Sequence, residues 1–147
     1  MIEPNLNLQK PLEDYVEYIE KLNVRSLSLL ETMAGMLFSF QDPYHNVNGI
    51  GEAQQVLRRR FKIYPFGRYK VHDFAWGRRD ATAYIYWSFS YKPEKRRILT
   101  KKTPDTCVLS GVTEVMFSSD GQILSHCEYW GQHEDFNVKV YQKSFEV

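Results

Sequence analysis

The chain has 147 residues, enough for one domain with a single core. Its 19 basic and 18 acidic residues leave a net charge of +1, so no basic field steers it toward nucleic acid or an anionic membrane. No apolar run reaches the ~20 residues that span a bilayer. Residues 1–5 also lack a secretory leader's charged-then-apolar layout, which predicts a cytoplasmic location.

Aromatics are abundant at 15%, with ten Tyr, nine Phe and three Trp, so the interior is large-ringed. Residues 1–11, which include Pro4 and Pro11, read as a polar lead-in. Leu12, Tyr15, Val16, Ile19 and Leu22 then recur at helical spacing, with Glu13 and Asp14 expected in the first turn. A second helix is predicted from about 24 to 33 through Leu27 and Leu30. Phe38 and Phe40 alternate with Ser39 and Gln41 in a strand that ends on Asp42, held extended by Pro43. Gly49 opens a third helix with Ile50, Ala53, Val56, Leu57 and Phe61 on one face, and Pro65-Phe66-Gly67 closes it.

Beyond Gly67 the pattern changes to strands at 69–76, 81–91, 106–117 and 122–130, separated by turn residues such as Asp120-Gly121. Helices followed by an antiparallel meander predict an α+β fold, with the helices packed on one face of a curved sheet. The tail from Gly131 has weak helical character at 134–141. Cys107 and Cys127 flank the last hairpin several residues out of register, which predicts free thiols.

Three stretches carry a family resemblance: Tyr18-Ile19-Glu20-Lys21-Leu22-Asn23, then Phe40-Gln41-Asp42-Pro43 with Gly49, and Gly111 to Phe117 continuing through His126-Cys127-Glu128-Tyr129-Trp130. They resemble the nuclear transport factor 2-like superfamily, in its SnoaL-like and ketosteroid isomerase-like branch, across about residues 12–130 of a single domain spanning 1–147. The resemblance implies a cone-shaped roll, with three N-terminal helices packed in a strongly curved, mostly antiparallel sheet around a hydrophobic pocket. It also implies a homodimer through the sheet's outer face, where Tyr84 and Tyr86 oppose Ile85 and Trp87. No cofactor and no metal are expected.

Against the ketosteroid isomerase pattern the catalytic base falls on Asp42, the tyrosine on Tyr18 and the second oxyanion acid on Thr113. A neutral hydroxyl is a poor substitute there, since one lost oxyanion donor costs roughly 10²–10³ in rate. Asp42 reads equally as a base or ligand anchor and as a turn former accepting local N–H bonds. Tyr18 sits on the rim of its helix's apolar stripe, either as a cavity hydroxyl or as an ordinary packing tyrosine. His126 and Glu128 share a strand face with Leu124 and Trp130, and Thr113 lies opposite one or the other according to register. Such a pair would hold an imidazole in one tautomer for proton transfer, or form a structural network.

Phe40, Trp87, Phe89 and Trp130 are the candidate walls for a small hydrophobic ligand, with core packing as the plain alternative. Arg58-Arg59-Arg60 reads as a solvated helix face. Three functions therefore stand open. One is a cofactor-independent acid–base enzyme of isomerase, dehydratase, cyclase or hydrolase type. The others are a non-catalytic ligand-binding module and an interaction scaffold whose pocket is plugged by Trp87 and Trp130.

Overall fold

The first helical stripe starts one turn earlier than its spacing predicts. In the computed structural model, which describes residues 6–92 and 106–131, a short 3-10 turn Leu6–Leu8 leads directly into α1, Gln9–Glu20. Pro11 falls within the first turn, where its missing N–H breaks no intrahelical bond, so the chain turns helical before Leu12. Glu13 and Asp14 thus belong to the second turn, where they pair with Gln9 and Lys10 at 3.2 and 3.1 Å rather than with the helix end. The helix buries Leu12, Tyr15, Tyr18 and Ile19.

The second predicted helix is mostly a 3-10 segment, Val24–Leu29, running into a four-residue α2, Leu30–Met33. Asn23 caps it, accepting from the N–H groups of Arg25 and Ser26, while Ser26 Oγ accepts from the Asn23 N–H. Strand β1 covers Ala34–Asp42 and β2 covers His45–Asn48; the latter, a short hairpin return, was not predicted. Gly49, at φ 99°, opens α3, Ile50–Ile63. Then follow β3 (Arg68–Trp76), β4 (Thr82–Tyr91), β5 (Cys107–Phe117) and β6 (Ile123–Trp130), within one residue of the predicted bounds. The tail at 134–141 lies outside the described residues.

The strand order is β2-β1-β6-β5-β4-β3. The meander is antiparallel as expected, but β1 runs parallel to β6, which makes the six-stranded sheet mixed. These two strands are separated in the chain by α3 and four other strands, ample length for a parallel crossover. α1 packs on β3, and α3 packs on β1 and β2.

Two details of register decide what faces the core. A bulge in β6 pairs Met116 with Ser125 and Phe117 with Ile123, leaving Leu124 as the extra residue. Leu124 is therefore turned out at 38% exposure while Ile123 is 1% exposed, so Leu124 does not share the face of His126 and Glu128 as predicted. The second detail is that Thr113 lies opposite Glu128, and Val115 opposite His126. Cys127 pairs with Glu114 and Cys107 with Tyr91, and neither cysteine is in a disulfide.

The core is crowded with rings: Tyr15, Phe38, Phe40, Trp87, Phe89 and Tyr91 are all fully buried. Gly111 is required by this packing, because a Cβ there would sit 2.6 Å from the Trp87 indole. Among the described residues no helix is long and apolar enough to cross a membrane.

Candidate functional site

Arg60 organises the interior. On α3, Ala53, Val56, Leu57, Arg60 and Phe61 form one buried stripe, so the third arginine of the run turns inward while Arg58 stays exposed. Arg60 is only 3% exposed, which corrects the solvated-face reading of the whole run. The physical reason is spacing: position 60 lies three and four residues beyond Leu57 and Val56, on the core side of the helix.

A buried arginine needs partners, and three strands supply them. Arg60 NH2 donates to Asp42 Oδ2 at 3.0 Å and to Glu128 Oε1 at 3.1 Å. Its NH1 donates to Glu128 Oε2 at 3.2 Å and also to the Tyr69 hydroxyl. The guanidinium thus forks onto Glu128 and ties β1, β3 and β6 to α3.

From Glu128 the chain of bonds continues. Glu128 Oε2 lies 2.8 Å from His126 Nε2, and Oε1 accepts from Trp130 Nε1 at 3.1 Å. His126 Nδ1 is 2.5 Å from the Tyr15 hydroxyl, and the imidazole stacks on Phe40 with centroids 4.8 Å apart. Burial pushes the Glu128 carboxyl up, but Arg60 and then His126 outweigh it and hold the group below the ordinary carboxylate range. Burial also holds the Tyr15 phenol well above its ordinary value, reinforced by Tyr18, Glu128 and Tyr69, so Tyr15 remains a donor. Burial raises Tyr69 and Tyr18 in the same way.

Asp42 ends β1 in the turn that the proline implied. Its Oδ1 accepts from the N–H groups of Tyr44 and His45, both at 2.8 Å, and lies 2.9 Å from His45 Nδ1. With Oδ2 on Arg60, the carboxylate combines turn former and ion-pair partner, and its side chain is fully buried. Tyr18 stacks on Tyr15 with centroids 5.5 Å apart, and its buried hydroxyl has no hydrogen-bond partner. Thr113 Oγ1 accepts from Trp87 Nε1 at 2.8 Å.

The structure therefore gathers His126, Glu128, Phe40, Trp130 and, through Arg60, Asp42 into one cluster. Trp87 and Phe89, with Arg60, Tyr69, Leu109 and Trp130, line a cavity of about 10 Å³, room for about one water. A larger hollow of about 500 Å³, open to solvent, lies outside it against Gln41, Asp42, Pro43 and residues 127–131. Sequence reasoning missed Arg60, Tyr15, Tyr69 and His45 as members of the cluster. Only Arg60 carried a usable signal, a charged residue in register with an apolar stripe.

Known sequence families and curated proteins show no match to the chain. Solved structures do share its shape. A protein proposed to be a SnoaL-like polyketide cyclase, from Jannaschia sp. CCS1, superposes with a TM-score of 0.66 at 12% identity, covering 84% of this chain and 87% of that one. An NTF2-like protein of unknown function from Exiguobacterium sp. 255-15 gives 0.64 at 13% identity, over 84% and 99%. A steroid delta-isomerase from Pseudomonas aeruginosa gives 0.63 at 14% identity, over 92% and 87%. At these identities the likeness shows the fold, which is NTF2-like, and a shared fold leaves function to the site.

Proposed function

We propose that this is a small-molecule pocket protein, a cone-shaped roll that performs cofactor-independent acid–base proton transfer on a small hydrophobic substrate. The observation that carries the reading is the buried Tyr15–His126–Glu128 chain, with bonds of 2.5 and 2.8 Å. Glu128 orients the imidazole and stabilises it if it becomes charged, and Nδ1 can take the Tyr15 proton as Tyr15 takes one from a carbon acid. Tyr18, whose hydroxyl lacks a partner, and Thr113, which keeps its own hydroxyl proton, are the donors for a developing oxyanion. Asp42 anchors Arg60 at the rim of the solvent-open hollow. Phe40, Trp87, Phe89 and Trp130 would supply the apolar walls.

A second reading has its own support. A space of only about 10 Å³ bordered by Trp87 and Trp130 suits a non-catalytic member whose interior its own side chains fill. One experiment separates the two. Proton exchange into deuterated water is followed by NMR for a panel of cyclic ketones and β-diketones, with tryptophan fluorescence read in parallel. The enzyme reading expects exchange above buffer that Tyr15→Phe and His126→Gln abolish. No exchange and no saturable quenching for any compound would sink it.

The homodimer is proposed through the outer sheet face, where Tyr86, Val108 and Tyr129 are exposed. Sedimentation of the wild type against Tyr86→Lys tests it, since a monomeric wild type removes the proposal.

A further inference from the structure

Three of the four groups on Glu128 can only donate to it: Arg60 NH2 and Trp130 Nε1 reach Oε1, each at 3.1 Å, and Arg60 NH1 reaches Oε2 at 3.2 Å. The fourth, His126 Nε2, lies 2.8 Å from Oε2. An ionised carboxylate can accept at all of these positions, whereas a carboxylic acid would have to turn one of them into a donor. Because ionised Glu128 cannot donate, the hydrogen of a neutral His126 must sit on Nε2. Nδ1 is then bare and faces a phenol that can donate to it.

The choice of tautomer therefore traces back to whatever keeps Glu128 charged in a dry interior. Tyr15 approaches the imidazole from α1 with Tyr18 stacked on it, Phe40 covers the imidazole face from β1, and Val115 lies across from it on β5. Asp42 and Tyr69 reach the cluster through Arg60. Arg60 is the cation forked on Glu128.

We propose that Arg60 is a positioning residue: acting through Glu128, it keeps the ring hydrogen of His126 on Nε2 and makes Nδ1 the proton-accepting atom. This rests on reading His126 as the acid–base group of the site. With the guanidinium removed, the buried cluster is one positive charge short and takes up a proton. Asp42 keeps two backbone N–H donors on Oδ1 without Arg60, so the proton settles on Glu128, which then donates to Nε2, or on the imidazole itself, and in both cases Nδ1 becomes protonated.

The test is the long-range proton–nitrogen spectrum of the His126 ring near neutral pH, assigned by its loss in His126→Gln. The wild type is expected to show the hydrogen on Nε2 alone. Arg60→Met should shift the balance toward protonated Nδ1 by ~10-fold or more, the equivalent of about one pKa unit. Arg60→Lys, which keeps a cation, should retain the wild-type pattern. A wild type with its hydrogen on Nδ1 overturns the proposal, as does a folded Arg60→Met with an unchanged ring, or an Arg60→Lys that loses the Nε2 hydrogen. If Arg60→Met fails to fold, Arg60→Gln is read against the same expectation, and the wild-type and Lys spectra still decide. All spectra are taken without ligand, so a failure here leaves the proton-exchange assay as a separate test of the enzyme reading.

Discussion

Between β1 and β6 the interior is held by a chain of charged and polar groups, whereas between β3, β4 and β5 it is held by rings. The first region runs Tyr15, His126, Glu128, Arg60, Asp42 and His45, each bonded to the next. The second packs Tyr69 edge-on against Trp87 and tilted against Phe89 at centroid distances of 5.3 and 4.7 Å, with Tyr64 edge-on to Tyr91 at 4.9 Å. Both are equally buried, yet they fail differently. A ring core loses contacts in proportion to the volume removed, while a buried ion network is stable only as a set.

The sharpest break in that comparison is Arg60→Met, which leaves two buried carboxylates without their shared cation. It should cost about 3–5 kcal/mol in chemical denaturation, the range for removing one partner of a buried pair. A loss below about 1 kcal/mol would mean that the network reorganises and that the two regions obey one rule. In the ring region the matching change is Gly111→Ala, which forces a methyl into the Trp87 indole and should cost about 1–3 kcal/mol by overpacking.

Acid offers a gentler probe of the polar region. Glu128 is held below its ordinary range in the folded protein, so its contribution is fully present above the unfolded-state value of about 4.3. That contribution is lost as pH falls through the lower, folded value. Stability should therefore decline more steeply on acidification in the wild type than in Glu128→Gln, and equal slopes would contradict the assignment. The smallest expected effect is Tyr18→Phe. Removing an unpartnered buried hydroxyl should leave stability unchanged or raise it by up to about 1 kcal/mol. If Tyr18 serves a ligand, the same variant weakens fluorescence-detected binding, and unchanged binding would return Tyr18 to plain packing.

The strands were legible because their period-two pattern is local: β3 to β6 lie within a residue of where alternation and turn residues put them. The short β2 was not legible, since four residues carry too little pattern. The second helix became largely 3-10 under its Asn23 cap. His126 and Glu128 could be placed on one face from sequence, but their direction depended on the bulge at Leu124, a tertiary choice of register.

The sequence alone carries the order of the three helices and the five longer strands, the aromatic interior and the turn at Asp42. Each of these is written in neighbours a few positions apart. Only the tertiary structure decided that Arg60 would be buried and that it would meet partners 18 and 68 residues away. A charge enters a dry interior only where opposite charges already converge on it, and that convergence belongs to the packed strands rather than to any local stretch of chain.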